Sequence, residues 1–193
     1  MRQELKDYIN TNLTFNSDGD LMYNDMNIMN KFEEPLINYI AESIVSKGDS
    51  VLNIGYGLGF FDKKAEKIGI SNHTIIECHP NIVNNIDIPN AKVYEGVWQD
   101  YIDTFLKCKI TFDSIFFDTY IFNKKCLDDE WFLFLKYADK LLNKNGKLSV
   151  FNWFKDGIEV TGKLKETMKH LKLYEEVYKI KGYDYKHLFW EKL

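Results

Sequence analysis

The chain has 193 residues, enough for one domain that buries most of the surface its unfolded form would expose. With 45% hydrophobic, 16% aromatic and 28% charged residues, the composition excludes a disordered chain and describes a globular one with a solvated exterior. A formal charge of −4 gives no broad basic field for a phosphate backbone, so nucleic acid is not an expected partner. Cys78, Cys108 and Cys126 form no CxxC pair and leave one unmatched, which argues against a disulfide framework or a zinc knuckle and fits a reducing compartment. No stretch approaches the roughly 18 apolar residues of a membrane span, and the first residues lack the apolar core of an export signal. A cytoplasmic protein without a membrane partner is expected.

A polar arm rich in Asn and Asp runs to about Asp25, and a short apolar segment, 26–32, leads into Glu33, Glu34 and Pro35. Proline in a first turn beside acids predicts a helix start. Leu36, Ile37, Ile40, Ile44 and Val45 supply the apolar stripe, and the helix is expected to end near Lys47 and Gly48. Residues 50–54 predict a strand, Gly55, Gly57 and Gly59 a tight turn, and 60–67 a helix. The alternation repeats, with strands over 73–77, 91–94, 112–118 and 147–152. Helices are expected over 80–86, 98–106 and 128–142, with an Asn145-Gly146 turn before the last of these strands. A helix over 162–171 then precedes two strand-like runs, 174–181 and 185–190, joined across Gly182 and Asp184. This order predicts a single α/β domain whose seven-stranded, mostly parallel sheet is covered on both faces and ends in an antiparallel hairpin.

Chemistry concentrates at the predicted carboxyl ends of the strands. Gly55-Tyr56-Gly57-Leu58-Gly59 follows a strand and opens a helix, a setting in which small residues let the backbone approach a ligand. Its spacing is GxGxG rather than the dinucleotide GxGxxG. With Glu77 at the end of the next strand, placed to accept ribose hydroxyls, it suits a nucleoside lacking phosphates. Asp118 ends the apolar strand Phe112-Asp113-Ser114-Ile115-Phe116-Phe117, where it reads equally as a cleft acid and as a turn cap. Taken alone, Glu33 is a first-turn acid favoured by the helix dipole and Trp98 a core anchor. His73, His79, His170 and His187 lack metal-ligand spacing, so no metal is expected. The aromatics of 128–142 read as core. Lys163, Lys165, Lys169 and Lys172 read as a solvated face, and Cys78 receives no nucleophilic role.

Five ordered blocks, IMNKFEEP (28–35), VLNIGYGLG (51–59), HTIIECHP (73–80), EGVWQD (95–100) and FDSIFFDTY (112–120), together resemble the guanidinoacetate N-methyltransferases and arginine δ-N-methyltransferases. These are class I methyltransferases with a Rossmann-like domain that use S-adenosylmethionine (SAM), and the resemblance covers roughly residues 28–154. It implies that Met29, Gly55, Tyr56, Gly57, Leu58, Gly59, Phe60 and Phe61 border SAM, that Glu77 holds its ribose beside Cys78 and His79, and that Trp98 and Gln99 line the adenine pocket next to Gly96. It puts Glu33 and Asp118 on the two guanidinium-binding carboxylates, with Asp118 also beside the cofactor. The backbone at Trp153 and Phe154 falls where small-molecule members hold their substrate's carboxylate. Residues 1–32 are expected to close over the cofactor site.

Asn53 stands where many SAM enzymes have an acid, as in the arginine δ-methylating branch, but the ankyrin repeats usual in that branch are absent from this sequence. The guanidinoacetate branch also has a longer C-terminal half. Without docking repeats in this sequence the expected partner is a small guanidino metabolite, the δ-branch motifs keep an arginine side chain as the other acceptor, and the expected state is a monomer or homodimer. Methylation of another amine or a natural-product intermediate is the alternative activity, and a non-catalytic SAM-binding protein the alternative class.

Overall fold

The computed structural model describes residues 2–120, 131–151, 166, 171–180 and 182–193. Helix α1 (Gln3–Asn10) opens the chain, followed by β1 (Thr14–Phe15), β2 (Leu21–Tyr23) and β3 (Met26–Met29), a small antiparallel sheet in the order β1-β2-β3. This sheet was not anticipated from the polar arm. Asn16 organises its first turn, its Oδ1 accepting the Asp18 and Asp20 amides, and Leu21, Tyr23 and Met29 are buried beneath it.

A 3-10 turn (Lys31–Glu33) leads into α2 (Glu34–Ile44). Pro35 occupies its first turn as predicted, and Leu36, Ile37, Ile40, Ala41 and Ile44 are buried along one stripe. Then come β4 (Ser50–Ile54), α3 (Phe60–Ile68), β5 (Asn72–Glu77), α4 (Pro80–Val83), β6 (Lys92–Glu95), α5 (Ile102–Lys107) and β7 (Phe112–Phe117). Residues 98–100 form a separate 3-10 turn ahead of α5 instead of one continuous helix. Helix α6 (Leu133–Leu141) runs directly into β8 (Leu142–Val150), and β9 (Lys172–Ile180) and β10 (Tyr183–Glu191) end the chain.

The main sheet has seven strands in the order β6-β5-β4-β7-β8-β10-β9, parallel from β6 to β8, with the β9–β10 hairpin antiparallel at the edge. Alternation along the strands divides the core in two. Leu52, Ile54, Ile115, Phe117 and Leu148 pack with α5 and α6, while Val51, Ile75 and Phe116 pack with α2 and α3. The expected Asn-Gly turn lies inside β8: Asn145 takes φ 63°, the β7–β8 register shifts between Phe112 and Ser114, and Lys192 exchanges backbone hydrogen bonds with Asn145 and Gly146. The strand therefore begins before the turn residues, which act as an irregularity within it. The expected helix over 162–171 and the strand end at Asn152 fall outside the described residues, save Glu166 and Leu171.

Strand order reverses direction at β4, between β5 and β7, which opens a crevice at the carboxyl ends of those strands. Gly55 sits at that point with φ 93°, and a Cβ there would lie 1.8 Å from the Asp118 carbonyl oxygen. Gly55→Ala is expected to cost about 3 kcal/mol or more through steric conflict added to left-handed strain. Gly48→Ala, with φ 89° but nothing within 4 Å, should cost only about 1–2 kcal/mol. Chemical denaturation of the two variants measures the difference.

Candidate active site

Four strand ends converge on the crevice and are tied to one another. The Asp118 amide donates to the Ile54 carbonyl (2.8 Å), the Gly55 amide to Ile76 (2.9 Å) and the Gly96 amide to Glu77 (2.9 Å). The cavity they bound has a volume of about 300 Å³, within the range of small-ligand sites.

Its wall contains Met29, Glu33, Gly55, Gly57, Glu77, Cys78, Gly96, Trp98, Gln99 and Asp118 from the residues singled out by sequence. Tyr56, Leu58, Gly59, Phe60, Phe61 and His79 do not line it, and Tyr56, Leu58 and His79 instead support residues that do. The Tyr56 and His79 amides each donate to Glu77 (2.8 Å), one to each carboxylate oxygen. The Leu58 amide meets the Met29 sulfur at 3.2 Å, and the Tyr56 ring lies over Gly59, where a Cβ would come within 2.4 Å of it. Burial pushes the Tyr56 phenol up to about 12. The His79 ring accepts from the Asn81 amide and reaches the Thr11 carbonyl at 2.9 Å, joining the end of α1 to the start of α4. Trp153 and Phe154 lie outside the described residues.

Trp98 is both core and wall. It is 3% exposed and packs edge-on against Phe134 and Phe117 while bordering the cavity, so a core anchor can also form part of the wall. Asn53, in place of an acid, donates to Asp62 (2.7 Å), which also meets His73 Nε2 at 2.9 Å. The buried acid beneath the loop thus sits on α3 rather than on β4. Burial raises the Asp62 carboxyl; the same burial opposes charge on His73, but Asp62 and Glu66 outweigh it and raise that imidazole.

Sequence reasoning missed several wall residues. Arg2, Glu4, Leu5 and Tyr8 come from α1, and Tyr8 is buried against Tyr23 and His79. Asn27 and Asn30 stand beside Glu33, Thr119 and Tyr120 follow Asp118, and Trp131 and Phe151 complete the wall. The spacing Asn27-x-x-Asn30-x-x-Glu33 was a usable signal for one of these groups. The α1 residues had none, because the amphipathic stripe of Leu5 and Tyr8 is short and set in a polar segment.

The electrostatics are unfavourable to charge. Burial raises the Asp118 carboxyl well above the usual carboxylate range, and the charges of Glu33, Glu77 and Asp62 add to the effect. Burial likewise raises Glu33, opposed by hydrogen bonds from Asn30, and raises Glu77 despite the backbone amides that it accepts. Acids gathered in this way are stabilised by a cation with several N–H donors. Among the described residues, no three His, Cys, Asp or Glu side chains come together to hold a metal ion, and no helix is long and apolar enough to cross a membrane.

Comparison with known proteins gives this arrangement a lineage. Residues 5–181 match the sequence model of the family described as guanidinoacetate N-methyltransferase. The chain is 30% identical over 152 residues to protein arginine N-methyltransferase 2 of Aspergillus oryzae, covering 75% of this chain and 36% of that protein. It is 30% identical over 160 residues to the protein of the same name from Yarrowia lipolytica, covering 76% of this chain and 33% of the relative. It therefore spans about a third of the length of these relatives. Among solved structures, a methyltransferase from Pyrococcus furiosus aligns with TM-score 0.60 at 18% identity, covering 82% of each chain. An O-methyltransferase from Bacillus cereus, solved in complex with SAH, aligns with TM-score 0.61 at 16% identity, covering 85% of this chain and 82% of that one. The α/β sheet and the match across nearly the whole length agree: the chain belongs to the guanidinoacetate N-methyltransferase family.

Proposed function

We propose that the protein is a SAM-dependent N-methyltransferase whose acceptor is a guanidino group, carried by a small metabolite or an arginine side chain. The observation that carries this reading is the pair Glu33 and Asp118, brought from separate segments to one cavity that also contains the glycine loop and Glu77. Family membership and the names of the fungal relatives support it.

The residues present fit the cofactor. Glu77 keeps lone pairs beyond those used by the Tyr56 and His79 amides, and Ile54, Ile76, Ile82 and Trp98 offer an apolar surface for a base. Thr119 Oγ1 is buried and has no hydrogen-bond partner among the described residues, so a polar ligand group would satisfy it. SAM supplies a methyl group already activated on a sulfonium. What the protein must add is orientation of the acceptor nitrogen and removal of its proton. In this reading residues 1–32 cover the cofactor, α1 forming one wall.

A guanidinium at neutral pH holds its proton by about 9 kcal/mol, so free neutral guanidine is scarce. Glu33 and Asp118 bind the planar cation through its N–H groups and aim one nitrogen. Asp118 would take the proton that the acceptor nitrogen releases as that nitrogen bonds to the methyl carbon and the methyl–sulfur bond breaks, its electron pair passing to the sulfonium sulfur. Its raised pKa makes it a stronger base than an exposed carboxylate, which suits that role.

A methyl-transfer assay against guanidinoacetate, L-arginine and an arginine-containing peptide tests the acceptor class; turnover only of amines lacking a guanidino group overturns it. Asp118→Asn should lower kcat by about 10²–10⁴-fold with SAM affinity intact, and unchanged turnover removes its role. Glu33→Gln should raise the acceptor KM roughly tenfold or more; an unaltered KM returns Glu33 to a helix-start acid.

The pH dependence has a fixed sign. Acceptor affinity should fall as pH drops through the raised pKa values of Asp118 and Glu33, so the acid limb of kcat/KM lies above the ordinary carboxylate range. In the ligand-free protein the same shifts favour folding below the unfolded pKa, and that stability is lost as pH rises through the folded values. Asp118→Asn should accordingly melt higher than wild type at neutral pH without ligand, as read by calorimetry.

A further inference from the structure

Glu33 hangs from a segment outside the main sheet. β3 ends at Met29, Asn30 precedes the 3-10 turn, and the Glu33 amide donates to the Asn30 carbonyl at 3.0 Å. Two side-chain bonds run in series: Asn27 Nδ2 donates to Asn30 Oδ1 (2.7 Å), and Asn30 Nδ2 donates to Glu33 Oε1 (2.8 Å). All three residues border the cavity that Asp118 also lines.

The direction of this relay is set at Glu33. A carboxylate only accepts, so Asn30 must turn its NH₂ toward Glu33 and its oxygen away. That oxygen needs a donor, so Asn27 turns its own NH₂ to it. The cost appears at the far end: Asn27 Oδ1 is buried and has no hydrogen-bond partner among the described residues. Reversing the Asn27 amide would change which of its atoms faces Asn30 and break the relay, so its orientation serves its neighbours rather than itself. Asn30 also opposes the burial that raises Glu33, favouring the charged form.

We propose that Asn30 is a positioning residue for the methyl acceptor: backed by Asn27, it occupies Glu33 Oε1 and presents Oε2 to the N–H groups of a guanidinium held against Asp118. The proposal rests on the guanidino reading of this cavity and adds the group that aims one of its two acids. Asn30 acts through Glu33, without touching the reacting atoms.

The test is a double-mutant cycle on the full chain saturated with S-adenosylhomocysteine, with methylguanidinium as probe and calorimetry as readout. Asn30→Ala should weaken probe binding about tenfold in the wild-type background and leave it unchanged in the Glu33→Gln background, because the interaction it supports is already gone. Turnover should show the loss mainly in KM, with S-adenosylhomocysteine affinity unaltered. Asn30→Leu, close in shape but without donors, reads the same effect if the alanine variant fails to fold, and Asn27→Ala, which removes only the backing, should give a smaller loss. Equal losses in both backgrounds, or no loss at all, overturn the proposal while leaving the guanidino reading intact. A Glu33→Gln protein that binds the probe as tightly as wild type, or a wild type that does not bind it, overturns that reading and this one together.

Discussion

Holding carboxylates close together in a cavity partly closed to water is the constraint on which the arrangement turns. Coulombic repulsion between like charges grows as the effective dielectric falls, so Asp118 is opposed by burial and by the charges of Glu33 and Glu77, while burial is the chief opponent of charge on Glu33 and Glu77 themselves. The fold meets this with backbone amides at Glu77 and the Asn30 amide at Glu33. At Asp118 the burial and the neighbouring charges prevail. A site of this kind is less stable than a neutral one would be, and it is in a better position to bind a cation.

The topology makes the grouping possible. Because strand order reverses at β4, the ends of β4 and β7 are neighbours, with the Asp118 amide tied to Ile54 and the Asp118 carbonyl occupying space that any side chain at position 55 would need. The glycine loop and the acid after β7 are thus two sides of one packing requirement. Glu77 belongs to the same frame through β5, whereas Glu33 reaches the cavity from the small N-terminal sheet and its 3-10 turn.

Much of this was legible in the sequence because it rests on local physics. Short, nearly continuous apolar runs marked β4, β5 and β7, Pro35 marked the start of α2, and acids directly after apolar strands pointed to the crevice. The β1–β3 sheet was not legible: strands of 2, 3 and 4 residues carry too little pattern, and theirs is held by burial of Leu21, Tyr23 and Met29. Nor could spacing tell whether a residue contributes a side chain or an amide. Tyr56 and His79 lie next to the ligand-facing positions in sequence, yet it is their N–H groups that reach Glu77. The wall formed by α1 depends on tertiary packing of Tyr8 with Tyr23 and His79, to which a polar N-terminal stretch gives no clue.

The separate anchoring of the two acids has an evolutionary consequence. Asp118 is fixed by the same strand ends that shape the glycine loop, so its placement cannot drift without disturbing the donor side of the cavity. Glu33 is carried by a short peripheral sheet whose turns and side-chain amides are open to substitution at little expense to the central core. On the proposed guanidino reading, divergence within such a lineage has an easy direction: acceptor choice can be retuned through the turn that carries Glu33, while Met29, which packs on the glycine loop, stays in place.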